Sequence, residues 1–201
     1  PKRAPQSFNL SEIFKAFKSE PMFTRLLAAY FVNGAANALP ASLFLFFVGE
    51  ILGAPKLAGP FLLIYFGSAI IATPVWIKLS SKIEKHRLWC YSMIYASGIF
   101  FFVVFINSGD FIGFFVVCLF GGAALSADLA IPSSIQADLI DIETFRGGKR
   151  RTGTFFSFWS IATKGSVALS TGLGLLILSF FNFNVSGENT EISIWALTIL
   201  Y

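Results

Sequence analysis

Charge is scarce in this chain: Asp, Glu, Lys and Arg make up 13% of its 201 residues, about half the share usual for a soluble domain. Cysteine and histidine are scarcer still, at two and one. Cys90 and Cys118 each lie in an apolar run with no His or second Cys at ligand spacing, so they read as small core hydrophobes rather than disulfide or metal partners. His86 lies in a connector, so no Ser–His pair forms an acyl-transfer centre, and the sequence calls for no catalytic residue, metal or resident cofactor. What is abundant is apolar: 55% hydrophobic, 17% aromatic, 25 Phe, and a mean hydropathy of +0.72. That composition excludes a disordered tail and an ordinary cytosolic enzyme, and it points to a polytopic membrane protein.

A helix needs about 20 predominantly apolar residues to cross a hydrocarbon core roughly 30 Å thick. Five stretches qualify: Leu26–Val48, Leu57–Lys78, Leu88–Ile106, Phe111–Ile135 and Thr154–Phe181; a sixth, 192–201, is truncated at Tyr201. The runs are too long for barrel strands and do not alternate with period two. The fold expected is an all-α, polytopic transmembrane helical bundle. Residues 1–25 read as a linker with a short amphipathic helix. Leu10, Ile13, Phe14 and Phe17 recur at helical spacing, Lys15 and Lys18 lie on the other face, and Pro21 ends the run. Beginning at Pro1 and stopping inside an apolar run, the chain reads as a piece of a longer protein.

Thirteen of the 15 basic residues fall on one side of these spans: Lys2, Arg3, Lys15, Lys18 and Arg25, then Lys78, Lys82, Lys85 and Arg87, then Arg146, Lys149, Arg150 and Arg151. The other side holds Lys56 beside Glu50, Asp110, Glu188 and Glu191. The positive-inside rule therefore puts the N-terminus and the second and fourth connectors in the cytoplasm. It also accounts for the net charge of +4 without a nucleic-acid partner. The partners expected are a lipid bilayer and a small-molecule solute. On the outer side Asn184-Val185-Ser186 matches a glycosylation sequon, a triplet frequent by chance.

The informative residues are polar ones at depth. Lys164 lies about ten residues into the fifth span, roughly 15 Å deep, and Asp128 roughly 12 Å from the basic end of the fourth. A charge at such depth costs on the order of 2.5–3.5 kcal/mol and is tolerated beside a counter-ion or a water-filled cavity. Similar depths on consecutive antiparallel spans predict a Lys164–Asp128 ion pair, either a helix pin or the charged wall of a permeation site. Asn33 and Asn37, four residues apart, share one helix face that suits a polar cavity or a neighbouring helix. Trp159 and Ser160, a turn before Lys164, offer an aromatic face and a hydroxyl for a sugar ring. Gly165, Gly172 and Gly174 predict close helix packing, and Pro40, Pro74 and Pro132 predict kinks. In the fourth connector Asp138 and Asp141 are followed by Arg150 and Arg151 across Gly147-Gly148, a solvated charged loop or the salt bridges of a cytoplasmic gate.

Three features of this region resemble one known family. They are the sequence Ala137-Asp138-Leu139-Ile140-Asp141, Arg150 nine residues after Asp141, and Thr163-Lys164-Gly165, with the lysine twenty-three residues after Asp141. They resemble the tenth and eleventh helices of the glycoside–pentoside–hexuronide:cation symporters (melibiose permease-like), within the major facilitator superfamily. Asn33 and Asn37 are similar to the paired asparagines of that family's seventh helix. The resemblance runs from about Pro21 to Phe181 and implies the C-terminal six-helix half of a major facilitator fold, with an N-terminal half of the same protein as its partner. It further implies a cation-coupled symporter of a sugar or related polar solute in a bacterial inner (plasma) membrane. The transported cation would be Na+ or H+, its site mostly in the N-terminal half and Lys164 beside it. Trp159 and Ser160 depart from the family's amide and hydroxyl residues, and Asp128 stands where an aromatic-lined segment is usual. Broader relatives include lipid carriers, so a lysolipid or amphiphile carrier is the alternative, and a non-transporting scaffold on the same fold is the third.

Overall fold

A computed structural model describes residues 21–145, 152–185 and 189–201. Six helices follow one another: α1, Pro21–Phe46, prolonged by a π turn over Phe47–Ile51; α2, Ala58–Ser80, entered by a 3-10 turn at Pro55–Leu57; α3, Lys85–Phe101, ending in a 3-10 turn over Phe102–Phe105; α4, Phe111–Phe145; α5, Thr152–Phe180; and α6, Glu191–Leu200. Five of these are long and apolar enough to cross a membrane. Among the described residues there is no strand, and the chain is an all-α bundle of an integral membrane protein. The amphipathic pattern of residues 10–17 lies outside the described residues, as do Arg146, Lys149, Arg150, Arg151 and Ser186.

The largest departure from expectation is in α4. Residues 136–145, read from their charges as part of a connector, continue the helix for a further two to three turns. A polar stretch without Gly or Pro has no reason to stop a helix once it has left the lipid, so hydropathy marks the membrane boundary and not the helix end.

Helix α4 packs between α2 and α3, while α5 packs along α1. Small residues permit both contacts. At the α2–α4 crossing a Cβ on Gly122 would overlap the Tyr65 carbonyl oxygen and Ser68 Oγ, and Trp76 Nε1 donates to the Ala123 carbonyl at 2.8 Å. At the α1–α5 contact a Cβ on Gly34 would lie 2.8 Å from Ser166 Oγ, and Ser170 Oγ donates to the Ala35 carbonyl at 2.5 Å. Of the three glycines expected to allow close packing, Gly174 faces Leu39 at 2.6 Å and Gly165 faces the Phe31 ring at 3.4 Å. Gly172 faces open space, which corrects the reading for that residue.

At the acidic end, Phe47, Phe114 and Leu197 are fully buried in the main core. Glu50 there accepts from Asn189 Nδ2 at 2.9 Å, tying the π turn of α1 to the α5–α6 connection. At the basic end a smaller core gathers Leu26, Leu88, Trp89, Ala127 and Ile131. The site is built on this smaller core.

Candidate functional site

Helix α1 supplies both halves of the site. Asn33 and Asn37 project from it at i and i+4 toward α4. Asp128 Oδ2 accepts from Asn33 Nδ2 at 3.0 Å and also from Asn37 Nδ2. Its other oxygen, Oδ1, accepts from the indole Nε1 of Trp89 on α3 at 2.9 Å. Asp128 is half-buried, and Trp89 is 5% exposed. A carboxylate is acceptor-only with about four lone-pair sites, so three of them are filled by neutral N–H donors from two other helices. Asn33, Asn37 and Asp128, singled out separately from the sequence, therefore meet at one point.

Three residues before Asn33, Tyr30 stacks on Trp159 of α5, with ring centroids 3.8 Å apart. Thr163 Oγ1 donates to the Trp159 carbonyl at 2.9 Å. Its proton is thereby used, so the 3.1 Å contact between Tyr30 Oη and Thr163 Oγ1 has the tyrosine as donor. Tyr30 and Trp159 both pack against the cluster that holds Trp89, Ala127 and Ile131, which joins the aromatic platform to the Asp128 junction. Ser160 and Lys164 are exposed beside it.

The structure corrects one expectation outright. Lys164 and Asp128 do not pair: among the described residues no carboxylate oxygen lies within 4.0 Å of the Lys164 ammonium. The reason is topological. Helices α4 and α5 follow one another in the chain, but α5 packs on α1 and α4 packs on α2 and α3. They meet mainly near their connection, where Gln136 Nε2 approaches the Phe155 carbonyl at 3.4 Å.

Asp138 also has a partner that the sequence reading did not name. Lys85, at the start of α3, places its ammonium 2.6 Å from Asp138 Oδ2. Arg150 and Arg151, the partners anticipated for a gate, lie outside the described residues; Asp141 is exposed. Sequence reasoning missed Tyr30, and it missed Trp89. The latter lies near the end of an apolar run where a tryptophan is ordinary, and nothing local to it marks the carboxylate thirty-nine residues away.

Carboxylate, amide, hydroxyl and aromatic groups thus gather where membrane-spanning helices meet. The chain belongs to the MFS/sugar transport protein family, whose family model matches residues 1–201. An uncharacterized symporter of Synechocystis is 25% identical over 186 residues, covering 89% of this chain and 34% of the relative. The uncharacterized symporter YjmB of Bacillus subtilis is 24% identical over 202 residues, covering 98% and 43%. A sodium-dependent lysophosphatidylcholine symporter of Danio rerio is 23% identical over 163 residues, covering 80% and 30%. The chain thus spans less than half the length of these curated relatives.

Proposed function

We propose that this chain is the C-terminal half of a cation-coupled symporter for a sugar or related polar solute, working by alternating access between two helical bundles. The observation that carries the reading is the polar and aromatic face shared by α1 and α5: the Tyr30–Trp159 stack, the Tyr30–Thr163 hydrogen bond and the exposed Lys164. An aromatic platform beside hydroxyl oxygens and an ammonium group suits the apolar face and the hydroxyl rim of a pyranose ring. The basic end of the bundle would face the cytoplasm. There Asp138 and Asp141, with Arg150 and Arg151, would act as a gate whose ion pairs are exchanged between states. The Lys85–Asp138 bond would be one of the alternatives in that exchange.

A second substrate class has its own support. Between α2 and α4 lies a groove of about 360 Å³. It is lined by Phe66, Ala69, Ile70, Thr73, Leu129 and Ala130 among others, an almost wholly apolar set that fits an acyl chain better than a sugar. The Danio rerio relative, by its name a lysophosphatidylcholine symporter, agrees with it.

Uptake by the full-length protein in proteoliposomes separates these readings. Radiolabelled monosaccharides and disaccharides form one arm and lysophosphatidylcholine the other, each with and without a sodium or proton gradient. Gradient-driven sugar accumulation supports the first reading, and lysolipid accumulation the second. Failure of every gradient to drive either solute would overturn the symporter reading.

A further inference from the structure

We propose that Asp128 is a proton-binding site, and that the two asparagines of α1 allow its carboxyl group to gain and lose a proton without stranding an unpaired group inside the bundle. The inference rests on the symporter reading above. It names the coupled cation and places one seat for it in this half of the protein.

The donors around Asp128 are all neutral: Asn33 Nδ2 and Asn37 Nδ2 on Oδ2, and Trp89 Nε1 on Oδ1. Among the described residues no Lys, Arg or His nitrogen lies within 4.0 Å of it. On the helices packed around it, Tyr65 of α2 lies against α4 at Gly121 and Gly122. Tyr30 of α1 is engaged with Thr163, Lys85 of α3 with Asp138, and Lys164 of α5 lies exposed. A fixed cation beside a carboxylate holds it ionised; N–H donors also favour the anion, but an amide, unlike a cation, can turn and present an acceptor to the acid.

An amide also has two faces. A half-turn about its last side-chain torsion exchanges its N–H₂ for its C=O. When a proton from the aqueous cavity binds Oδ2, that oxygen becomes an O–H donor. One asparagine turns and accepts the hydrogen on its own Oδ1, while the other keeps its N–H on the carboxyl group. Trp89 cannot reverse, because an indole nitrogen only donates. It remains on Oδ1, which is the carbonyl oxygen of the neutral acid. Three hydrogen bonds exist before protonation and three after it, at the cost of one rotation. A metal ion in the same place would need both amides turned and several further oxygen ligands.

Trp89 supplies the test, because its indole touches the carboxylate. In full-length protein in nanodiscs, with every other tryptophan replaced by Phe, Trp89 emission is titrated from acid to alkaline pH at constant salt. A single titration step in wild-type Asp128, absent in Asp128→Asn, is the result expected. Infrared difference spectra should show a protonated carboxyl band at acid pH that the same substitution removes. Should Asp128→Asn fail to fold, Asp128→Glu keeps the carboxyl group, and its step should move along the pH axis. Emission that does not titrate, a step that persists in Asp128→Asn or stays in place in Asp128→Glu, or a response to sodium at constant pH in place of the pH response would overturn the proposal. The symporter reading fails separately: a titrating Trp89 with no gradient-driven uptake by wild-type protein in proteoliposomes defeats that reading alone. Gradient-driven uptake with a flat Trp89 signal defeats the proton site alone.

Discussion

At the scale of the residue, the cost of a group in the membrane depends on what it touches. Lys164 is exposed and without a carboxylate partner among the described residues, so removing its charge should do little to the fold. Lys164→Gln in the full-length protein should leave this half folded and abolish gradient-driven uptake. Thermal unfolding in detergent and vesicle uptake read the two effects; a large loss of stability would show a structural lysine instead. Tyr30→Phe removes the hydrogen bond to Thr163 and keeps the stack on Trp159. It should cost about 1 kcal/mol and weaken apparent solute affinity more than maximal rate, as measured by uptake kinetics. Asn33, Asn37, Asp128 and Lys164 were legible because a polar side chain inside an apolar run needs an explanation. Their pairing was not legible. Sequence order suggested that Asp128 and Lys164 would meet, and packing order gave Asp128 to Asn33, Asn37 and Trp89.

At the scale of the element, two glycines that look alike in sequence differ in what surrounds them. Gly122→Ala would drive a methyl group into the backbone of α2, an atom that cannot step aside, whereas Gly172→Ala meets nothing. The first should sharply reduce the yield of monodisperse folded protein. The second should be neutral or stabilising by up to about 1 kcal/mol, the helix-propensity gain of Ala over Gly. Size-exclusion profiles and melting temperatures of the two variants check this directly. The Lys85–Asp138 bond is short, but its side chains are 31% and 54% exposed. Asp138→Asn should therefore cost no more than about 1 kcal/mol, and any larger effect on transport rate would belong to gating. Span positions were readable because the bilayer imposes a length on apolar runs. The extension of α4 was not, because residues 136–145 carry the polar composition of a connector and fold as helix.

At the scale of the whole molecule, the lopsided charge predicts an orientation. With Cys90 and Cys118 replaced, Lys56→Cys should react with an impermeant maleimide in intact cells, and Lys82→Cys only after permeabilisation. The reverse pattern would invert the bundle. Helix α4 gives the assembly a mechanical character as well. Its 35 residues make a column about 52 Å long at 1.5 Å per residue, well beyond the roughly 30 Å of hydrocarbon. Pro132 lies inside that column, four residues after Asp128, and leaves the Asp128 carbonyl without its helical N–H. The column is thus a shaft with a joint one turn from the charge it carries. Its arm at the basic end bears Asp138 and Asp141 and is held by Lys85; its arm at the acidic end is packed against α2 at Gly122. The bond that holds the tip of the shaft and the carboxylate beside its proline are thus carried on one continuous helix.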